Sequence, residues 1–390
     1  MNALFRTSLF ASLLGLCGLA ACSSNDFDLT PTASGSGAGG SGASSGSSTG
    51  TTSTGNQGGA GGDTTSTSTG GLGGSEPDGP TKLTIVNGVN DHDAIRVCFT
   101  AYPDGADVSP WPADVAGLAF AKAIVVDPPE SIAPGGADIR PFVIGGDLAA
   151  IEGKSCNEIL ALAASGSGGS GGAGGGSGGA GGSGGTTATP PPPPIVAGPM
   201  PVIPASVLTS EKSLLLTFFG CLGGPGKTDS TQGLGCGFTY TPETPTASLT
   251  LVAMSRKTLP NAVAVQVVHA SAAMQPSDVR VTPGYDGATD VPVAKALALG
   301  GLGPKPPFAG LARVDYGALT KVAIKTFAPN DIYATSALFI QDAFVNGGIK
   351  DTAFEDGSSF TFVAIGGYPG VPAQSFWRAF TYVMVASDPE

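Results

Sequence analysis

Two stretches decide the fold because they carry the same pattern: Leu83-Thr-Ile-Val-Asn87 followed by Asp93-Ala-Ile-Arg-Val97, and Val265-Gln-Val-Val-His269 followed by Asp278-Val-Arg-Val281. In each, a run rich in β-branched residues leads through a polar, turn-rich segment into a second short run of the same kind. Such runs bounded by turn residues are typical of β-strands. The sequence therefore predicts the same pair of strands at two distant places in the chain.

Two further matches extend this repeat. Glu211–Gly220 is echoed by Asp356–Gly366, and Ser248–Ala253 is echoed by Phe380–Ala386. Because all the matches occur in the same order, we predict two copies of one domain, copy one over residues 82–257 and copy two over 260–390. Chance similarity among short strand-like runs is the alternative explanation.

The fold class predicted from these runs is all-β. Strands are expected at Leu83–Val86, Ile95–Phe99, Ser213–Phe219, Ser248–Ala253, Ala264–Val268, Val279–Thr282, Lys321–Thr326, Ser359–Ile365 and Phe380–Val385. Only Leu148–Ala164 has partly helical spacing, and we expect one short helix there. Many short strands without a long amphipathic helix favour two β-sandwiches over an α/β fold.

The repeated segments resemble the domain-of-unknown-function 4397 family of bacterial exported proteins. That family opens with V-R-V-V-H-A-S followed by V-D-V-Y, which Val265–Ser271 and Ser277–Val281 match, and it closes with a strand-like pattern that Phe360–Gly366 fits. Copy one departs from the pattern, with Asn87-Gly88 in place of His-Ala. The resemblance implies immunoglobulin-like β-sandwiches and implies no catalytic chemistry.

Low-complexity segments interrupt the strand-rich parts. Residues 22–81 are dominated by Gly, Ser, Thr and Ala, and such a composition buries too little apolar surface to fold, so we expect a disordered tether. A second run, Ser165–Thr189, is followed by Pro190–Pro194. It could be a linker between domains, but the repeat places it inside copy one as a Gly/Pro-rich insertion over 165–199. A long surface loop costs little because closure entropy grows slowly with length.

The N-terminal 21 residues are typical of a signal peptide. Arg6 precedes the apolar run Leu9–Ala21, which is shorter than the roughly 20 residues of a transmembrane helix. Leu19-Ala-Ala-Cys22 resembles a bacterial lipobox, which implies a diacylglycerol on the Cys22 thiol and a further acyl chain, palmitate, on its amine. An ordinary secretory signal with an incidental cysteine is the alternative. Ser23 after the anchor resembles an outer-membrane sorting signal, so the expected location is the cell envelope.

Four further cysteines, Cys98, Cys156, Cys221 and Cys236, all lie in copy one. An even number in an exported protein predicts disulfides. Three pairings are possible, and we favour Cys98–Cys156 with Cys221–Cys236, which closes a short glycine-rich loop. A thiolate metal site is not expected, because paired C-x-x-C spacing is absent from the sequence.

Few residues in the sequence are candidates for catalysis or metal binding. His269 and His92 are the two histidines; His269 is expected to be a hydrogen-bonding turn residue. His92 lies between Asp91 and Asp93, close to Asn90, and a solvated turn is favoured there over a weak calcium loop. Outside the low-complexity glycine runs, no hydrolase, metalloprotease or phosphate-binding motif occurs, so we predict no catalytic residues, cofactor or metal.

The two tryptophans are the remaining candidates for ligand binding. Trp111 lies in the loop Ser109-Pro-Trp-Pro112 and is a weak candidate for a sugar-stacking surface. Trp377 stands among Phe376, Phe380 and Tyr382 and is expected to be core.

The charge excludes one class of partner. The formal net charge is −12, and loss of Arg6 with the signal peptide makes the mature side chains −13. Nucleic acid is bound by neutralising phosphates, so no nucleic-acid partner is expected. We predict a non-enzymatic structural, adhesive or partner-binding lipoprotein held at the membrane through Cys22. The alternatives are a carbohydrate- or small-ligand-binding protein and a hydrolase without a recognisable motif; the protein or glycan partner is unknown.

Overall fold

The computed structural model describes residues 79–103, 105, 107–166, 195–282, 289–304, 310–311, 322–327 and 336–389. The predicted signal peptide, Cys22, nearly all of the tether and most of the Gly/Pro-rich run lie outside these residues. Within the described ranges, no helix has both the length and the apolar character needed to cross a membrane.

The first half contains eight strands in two four-stranded sheets. They are β1 Lys82–Val89, β2 Ala94–Ala101, β3 Leu118–Ala119, β4 Ala123–Val126, β5 Ile139–Gly145, β6 Val196–Pro199, β7 Ser213–Gly220 and β8 Ser248–Met254. The strand orders are β4-β1-β7-β8 and β3-β2-β5-β6. Neighbours are antiparallel, except that β1 and β7 run parallel from Lys82 opposite Ser213 to Val89 opposite Gly220.

The second half repeats this arrangement. Its strands are β9 Val263–His269, β10 Ser277–Thr282, β11 Val291–Leu297, β12 Leu302–Gly303, β13 Gly310–Leu311, β14 Ala323–Phe327, β15 Ser336–Phe339, β16 Ser359–Ile365 and β17 Thr381–Ala386. The orders are β12-β9-β16-β17, with β13 also on β9, and β11-β10-β14-β15. The first and penultimate strands, β9 and β16, are again parallel. The two halves therefore share one strand order.

Short helices occupy the connections between strands. The α-helices are α1 Cys156–Gly166, α2 Ala205–Leu208, α3 Gln232–Cys236 and α4 Ile340–Gly347. The expected single helix over Leu148–Ala164 is instead a 3-10 turn, Leu148–Ile151, followed by α1. Gly153, with φ of 71°, lies between the two. A left-handed residue at that point ends the first turn before the next helix begins.

The immunoglobulin-like connectivity implied by the family resemblance is not the observed one. In an immunoglobulin domain the first two strands share a sheet. Here β1 and β2 lie in different sheets, and so do β9 and β10. The predicted strands exist, but the short turns that join them carry the chain from one sheet to the other.

The range predicted for the insertion, 165–199, is also too long. Val196–Pro199 is strand β6, antiparallel to β5, although its composition resembles the neighbouring Pro and Gly run. At the other side, α1 is joined to β2 by the Cys98–Cys156 disulfide. The chain therefore leaves and re-enters the same half on either side of residues 167–194.

Burial shows how the sheets are layered. Every residue of β7, β9 and β16 is buried, whereas β10 and β14 alternate between buried and half-buried positions. Strands buried on both faces have continuous apolar runs, and strands with one exposed face alternate. The sheets containing β7 and β16 therefore lie inside the molecule, and the sheet that contains both β10 and β14 has one face toward the solvent.

The buried faces of the two inner sheets meet each other. In β7, Leu214, Leu216 and Phe218 face the core of the first half, while Leu215 and Phe219 face the second half. The shared layer combines Val86, Ala121, Leu215, Phe219 and Met254 with Val268, Ala270, Val363, Ile365, Val383 and Val385. A Cβ on Gly88 would lie 2.6 Å from Ile365 Cγ2, so glycine is what lets β1 approach β16. Both halves belong to one compact unit.

A buried arginine joins the halves at the opposite end of the strands from the β1–β2 turn. Arg256 lies in the segment between β8 and β9, and its guanidinium donates to Glu211 O at 2.8 Å and to the Asp388 carboxylate at 3.0 Å. It also donates to the carbonyls of Gly79 and Pro80. One side chain thus connects the start of the first half to the end of the second.

The double burial of β7 can be tested with a matched pair of substitutions. Leu215 faces the second half and Leu216 faces the core of the first, and both are fully buried. Each change to alanine should lower the free energy of unfolding by about 2–5 kcal/mol, the usual cost of a buried leucine. Denaturant titration followed by circular dichroism measures this cost.

Ile124→Ala, on edge strand β4 and 38% exposed, is the control and should cost less than about 1 kcal/mol. A Leu215→Ala cost as small as that of Ile124→Ala would contradict the packing of the two halves.

Candidate functional site

The turn between β1 and β2, residues Asn90–Asp93, is held by both halves of the molecule. The Asn90 amide donates to Gly235 O at 2.6 Å, and its Oδ1 accepts from Arg378 N at 3.0 Å. Its backbone N donates to Gly220 O at 2.7 Å. Asn90 therefore joins the end of β7, the disulfide loop and the β16–β17 connection.

Both carboxylates of this turn interact with other groups of the same chain. Asp91 is fully buried and accepts from Leu222 N at 3.0 Å and Gly223 N at 2.8 Å. Asp93 is 85% exposed and pairs with Arg378. Among the described residues, no group of three or more His, Cys, Asp or Glu side chains is placed to hold a metal ion. The turn is also not solvated as expected, since Asn90, Asp91 and His92 are all buried.

His92 is the unusual member of the turn. Its ring is 6% exposed and packs on the backbone of Gly145, where an added Cβ would lie 2.6 Å from the ring. Its Nε2 has no hydrogen-bond partner among the described residues and lies 3.9 Å from the Asp91 carboxylate. Burial lowers the pKa of His92, an effect that the nearby Asp91 opposes, and the neutral imidazole is favoured.

A cleft of about 390 Å³ opens beside this turn, at the end of the strands where loops of both halves meet. The first half contributes Asp91, His92, Asp93 and Lys227, and the second contributes Ser375, Phe376 and Arg378. The Lys227 ammonium donates to the Asp91 carbonyl. Burial lowers the pKa of Lys227, and the Asp91 carboxylate opposes that shift.

The disulfide loop closed by Cys221 and Cys236 lies beside the cleft, where the two halves meet. Cys221 and Cys236 are bonded, and Trp377 of the second half packs against the loop that they close. Trp377 is fully buried, and a Cβ on Gly235 would lie 2.2 Å from its Cγ. Its Nε1 donates to Thr231 Oγ1 at 3.3 Å. Trp377 is core, as expected, but the core that it fills lies between the halves.

Both bonded cysteine pairs are the ones that the sequence favoured, Cys98–Cys156 and Cys221–Cys236. The first pair packs beneath the cleft wall in a small cluster with Leu148 and Ile159. The second encloses α3 and the site of Trp377. The disulfides thus hold the two irregular parts of the first half that border the cleft.

Trp111 is not among the described residues that line the cleft. Its backbone bridges Val97 with hydrogen bonds of 2.6 and 2.8 Å, and its ring meets Phe99 edge-on at 6.0 Å. The Arg96 guanidinium holds the same loop by donating to Pro110 O and Pro112 O, both at 3.1 Å. The indole is therefore half-buried on the rim of the first core, a poor position for sugar stacking.

His269 is the last residue of strand β9 rather than a turn residue, and both of its ring nitrogens are engaged. Its Nε2 lies 3.2 Å from Gln275 O, and the Ser271 N–H points to its Nδ1 at 3.4 Å. This arrangement requires a neutral ring that carries its proton on Nε2. Burial lowers the pKa of His269, which agrees with the neutral form.

Sequence reasoning found the Asn90–Asp93 turn but missed Lys227, Phe376 and Arg378. Arg378 lies 288 residues from Asn90 in the chain, so no local motif connects them. The glycines around Lys227 were attributed to a disulfide loop, and Phe376 to the core around Trp377. The repeat contained a signal, because it places the β7–β8 and β16–β17 connections at equivalent positions.

No protein-family model and no curated protein matches the chain. The resemblance of Val265–Ser271 to the domain-of-unknown-function 4397 family thus remains a prediction from short motifs.

The two buried histidines predict how stability depends on pH. An unfolded histidine titrates near about pH 6.5, and both folded values lie below it, so the unfolded chain binds more protons as pH falls. The free energy of unfolding should therefore decrease between about pH 7 and pH 5, by at most about 1.4 kcal/mol per pH unit for each histidine. Urea titrations at several pH values measure this slope.

The double variant His92→Gln/His269→Gln should remove most of the slope in this range. Equal slopes for the variant and the unmodified protein would show that the histidines are not its source.

Proposed function

We propose that the chain is a cell-envelope lipoprotein, anchored through acylated Cys22, that presents a non-catalytic ligand-binding module on a tether. The lipobox-like Leu19–Cys22 supports the anchor, and the Gly/Ser/Thr-rich composition of residues 22–81 supports a disordered tether. A coil of about 60 residues has a mean end-to-end distance of roughly 40 Å. The module would then extend well beyond the membrane surface, with the outer membrane as the expected location.

The binding module consists of two copies of one β-sandwich, 82–257 and 260–390. The shared strand order supports this assignment, and the pairing on both sides of residues 167–194 supports an insertion within copy one. The likeness to immunoglobulin domains is one of architecture, two sheets face to face, because the connectivity differs. We retain the domain-of-unknown-function 4397 family as the proposed relationship.

The cleft between the loops of the two copies is the observation that supports a binding function. Binding residues are commonly placed on loops at one end of a rigid β-scaffold. Here loops from both copies converge on one polar cleft of about 390 Å³, near the lower end of the range for small-ligand sites. The concave shape favours a small ligand or a sugar unit over a purely structural or adhesive role, in which a flat surface would suffice.

A binding role also agrees with the state of the polar groups in the cleft. A general base must offer a free lone pair to its substrate. The Asp91 carboxylate is instead occupied by two backbone amides, and Asp93 is paired with Arg378. These two carboxylates shape the cleft wall, and among the described lining residues His92 is left as the one candidate base, without a nucleophile motif beside it, so a hydrolase is the less supported alternative.

The anchor can be tested by substitution of the lipidated cysteine. Cys22→Ser should move the protein from the membrane fraction to the soluble fraction, because several acyl chains are needed for stable anchoring. Mass spectrometry of the unmodified protein should show an acylated Cys22 as its first residue. An unlipidated mature chain that starts at another residue would contradict the proposal.

The binding role can be tested on a glycan array with the soluble Cys22→Ser chain. Ala116 is exposed and lines the cleft, so Ala116→Trp should fill the cleft and abolish glycan binding. Ala161→Trp, at an exposed position of α1, is the matched control and should bind as the parent does. Absence of glycan binding by the parent, or binding that survives Ala116→Trp, would contradict a ligand site in the cleft.

A further inference from the structure

The cleft has unused hydrogen-bond donors. A lysine ammonium has three N–H donors, and Lys227 uses one of them on the Asp91 carbonyl. The Asp91 carboxylate lies beneath the cleft surface and is already bound by Leu222 N and Gly223 N. Among the described residues, Lys227 therefore has two N–H donors without a hydrogen-bond partner, beside a carboxylate whose lone pairs are partly occupied.

Arg378 supplies a second cation to the same cleft. Its backbone N is fixed by Asn90, while its side chain is 41% exposed and pairs with Asp93, which is 85% exposed. Ion pairs between exposed partners contribute little stability. A ligand carboxylate in a more sheltered position can therefore compete with Asp93 for the five donors of the guanidinium.

His92 adds an unsatisfied polar atom. Its Nε2 is buried, lacks a hydrogen-bond partner among the described residues, and belongs to a ring that lines the cleft. Buried polar atoms without a partner are rare because each costs free energy. A ligand hydroxyl is a suitable partner, since it both donates and accepts and so fits either neutral tautomer.

Apolar side chains form another part of the lining. Leu148, Val196, Pro225 and Phe376 contribute to the cleft, and Phe376 is held in place by stacking on Tyr240 at 6.4 Å between ring centroids. Such a surface suits the carbon framework of a small ring. The lining as a whole combines two cations, the carboxylates of Asp91 and Asp93, one unsatisfied imidazole nitrogen and an apolar wall.

We propose that the cleft binds a sugar unit that bears a carboxylate, a uronic acid, with Lys227 and Arg378 at the carboxylate and His92 Nε2 at a ring hydroxyl. The inference rests on the proposed ligand-binding function and specifies its ligand. Two carboxylates line the cleft beside these two cations, but Asp91 is already bound by two backbone amides and Asp93 is exposed to solvent, so the cations are the groups that a ligand carboxylate would pair with. The protein's net negative charge repels anions at a distance, but salt screens that repulsion beyond about 10 Å.

The test compares methyl glucuronide with methyl glucoside, which differ only in having a carboxylate or a hydroxymethyl group. Binding to the soluble Cys22→Ser chain is measured by NMR titration. The glucuronide should bind at least about tenfold more tightly, the usual gain from charge-assisted hydrogen bonds. Inorganic phosphate, as a simple anion, should bind more weakly than the glucuronide.

Variants identify the residues responsible. Lys227→Met should weaken glucuronide binding about tenfold, and weaken it more than it weakens glucoside binding, because only the glucuronide carboxylate pairs with the ammonium. Lys212→Met, at an exposed position before β7, is the matched control and should change neither. Asp93→Asn should tighten glucuronide binding, because it removes the carboxylate that competes for Arg378. The Asp93 side chain is 85% exposed, so this substitution should leave the fold intact.

The possible failures are distinguishable. Equal affinities for the two glycosides, both abolished by Ala116→Trp, would overturn the acidic-sugar inference and leave the binding function standing. Phosphate binding as tight as glucuronide binding would replace the sugar with a general anion site. If neither glycoside binds, both the inference and a sugar-binding role for the cleft are wrong.

Discussion

The apolar layer between the two inner sheets is the constraint on which the rest of the structure depends. Leu215 and Phe219 on one side meet Val363 and Ile365 on the other, and none of these four side chains is more than 5% exposed. The layer explains why β7 and β16 are buried on both faces, although most neighbouring strands in their sheets are antiparallel. It also makes each half dependent on the other, because separation would expose a complete sheet face to water.

The cleft follows from this packing. When the inner sheets lie face to face, the β1–β2 turn of the first half comes next to the β16–β17 connection of the second. Asn90 and Trp377 then hold the two together, Asn90 through backbone groups and Trp377 through the disulfide loop. Polar residues from both halves line the space that remains. The turn and the disulfide loop that border the site are therefore held by contacts within the protein, and such preorganisation reduces the entropy cost of binding.

The sequence predicts the strands well because their signal is local. β-Branched runs such as Val263–His269 and turn residues beside them mark individual strands, and the two disulfides follow from cysteine number and spacing. The order of strands within sheets is not local, so the all-β class could be predicted from the sequence, but the connectivity, which differs from that of an immunoglobulin domain, could not. Val196–Pro199 was missed because a short strand containing Gly and Pro resembles the low-complexity run before it.

The site was less predictable for the same reason. Asp91 and His92 stood out in the sequence, yet their burial depends on Gly145 and on the backbone of Leu222 and Gly223. Arg378 reaches the turn only because the halves pack together.

Calorimetric unfolding of the soluble Cys22→Ser chain tests the joint packing of the halves most directly. Because the inner sheets share one apolar layer, we predict a single transition in which the van't Hoff and calorimetric enthalpies agree. Two separate transitions, or a van't Hoff enthalpy near half the calorimetric value, would show that the halves fold independently and would contradict the account.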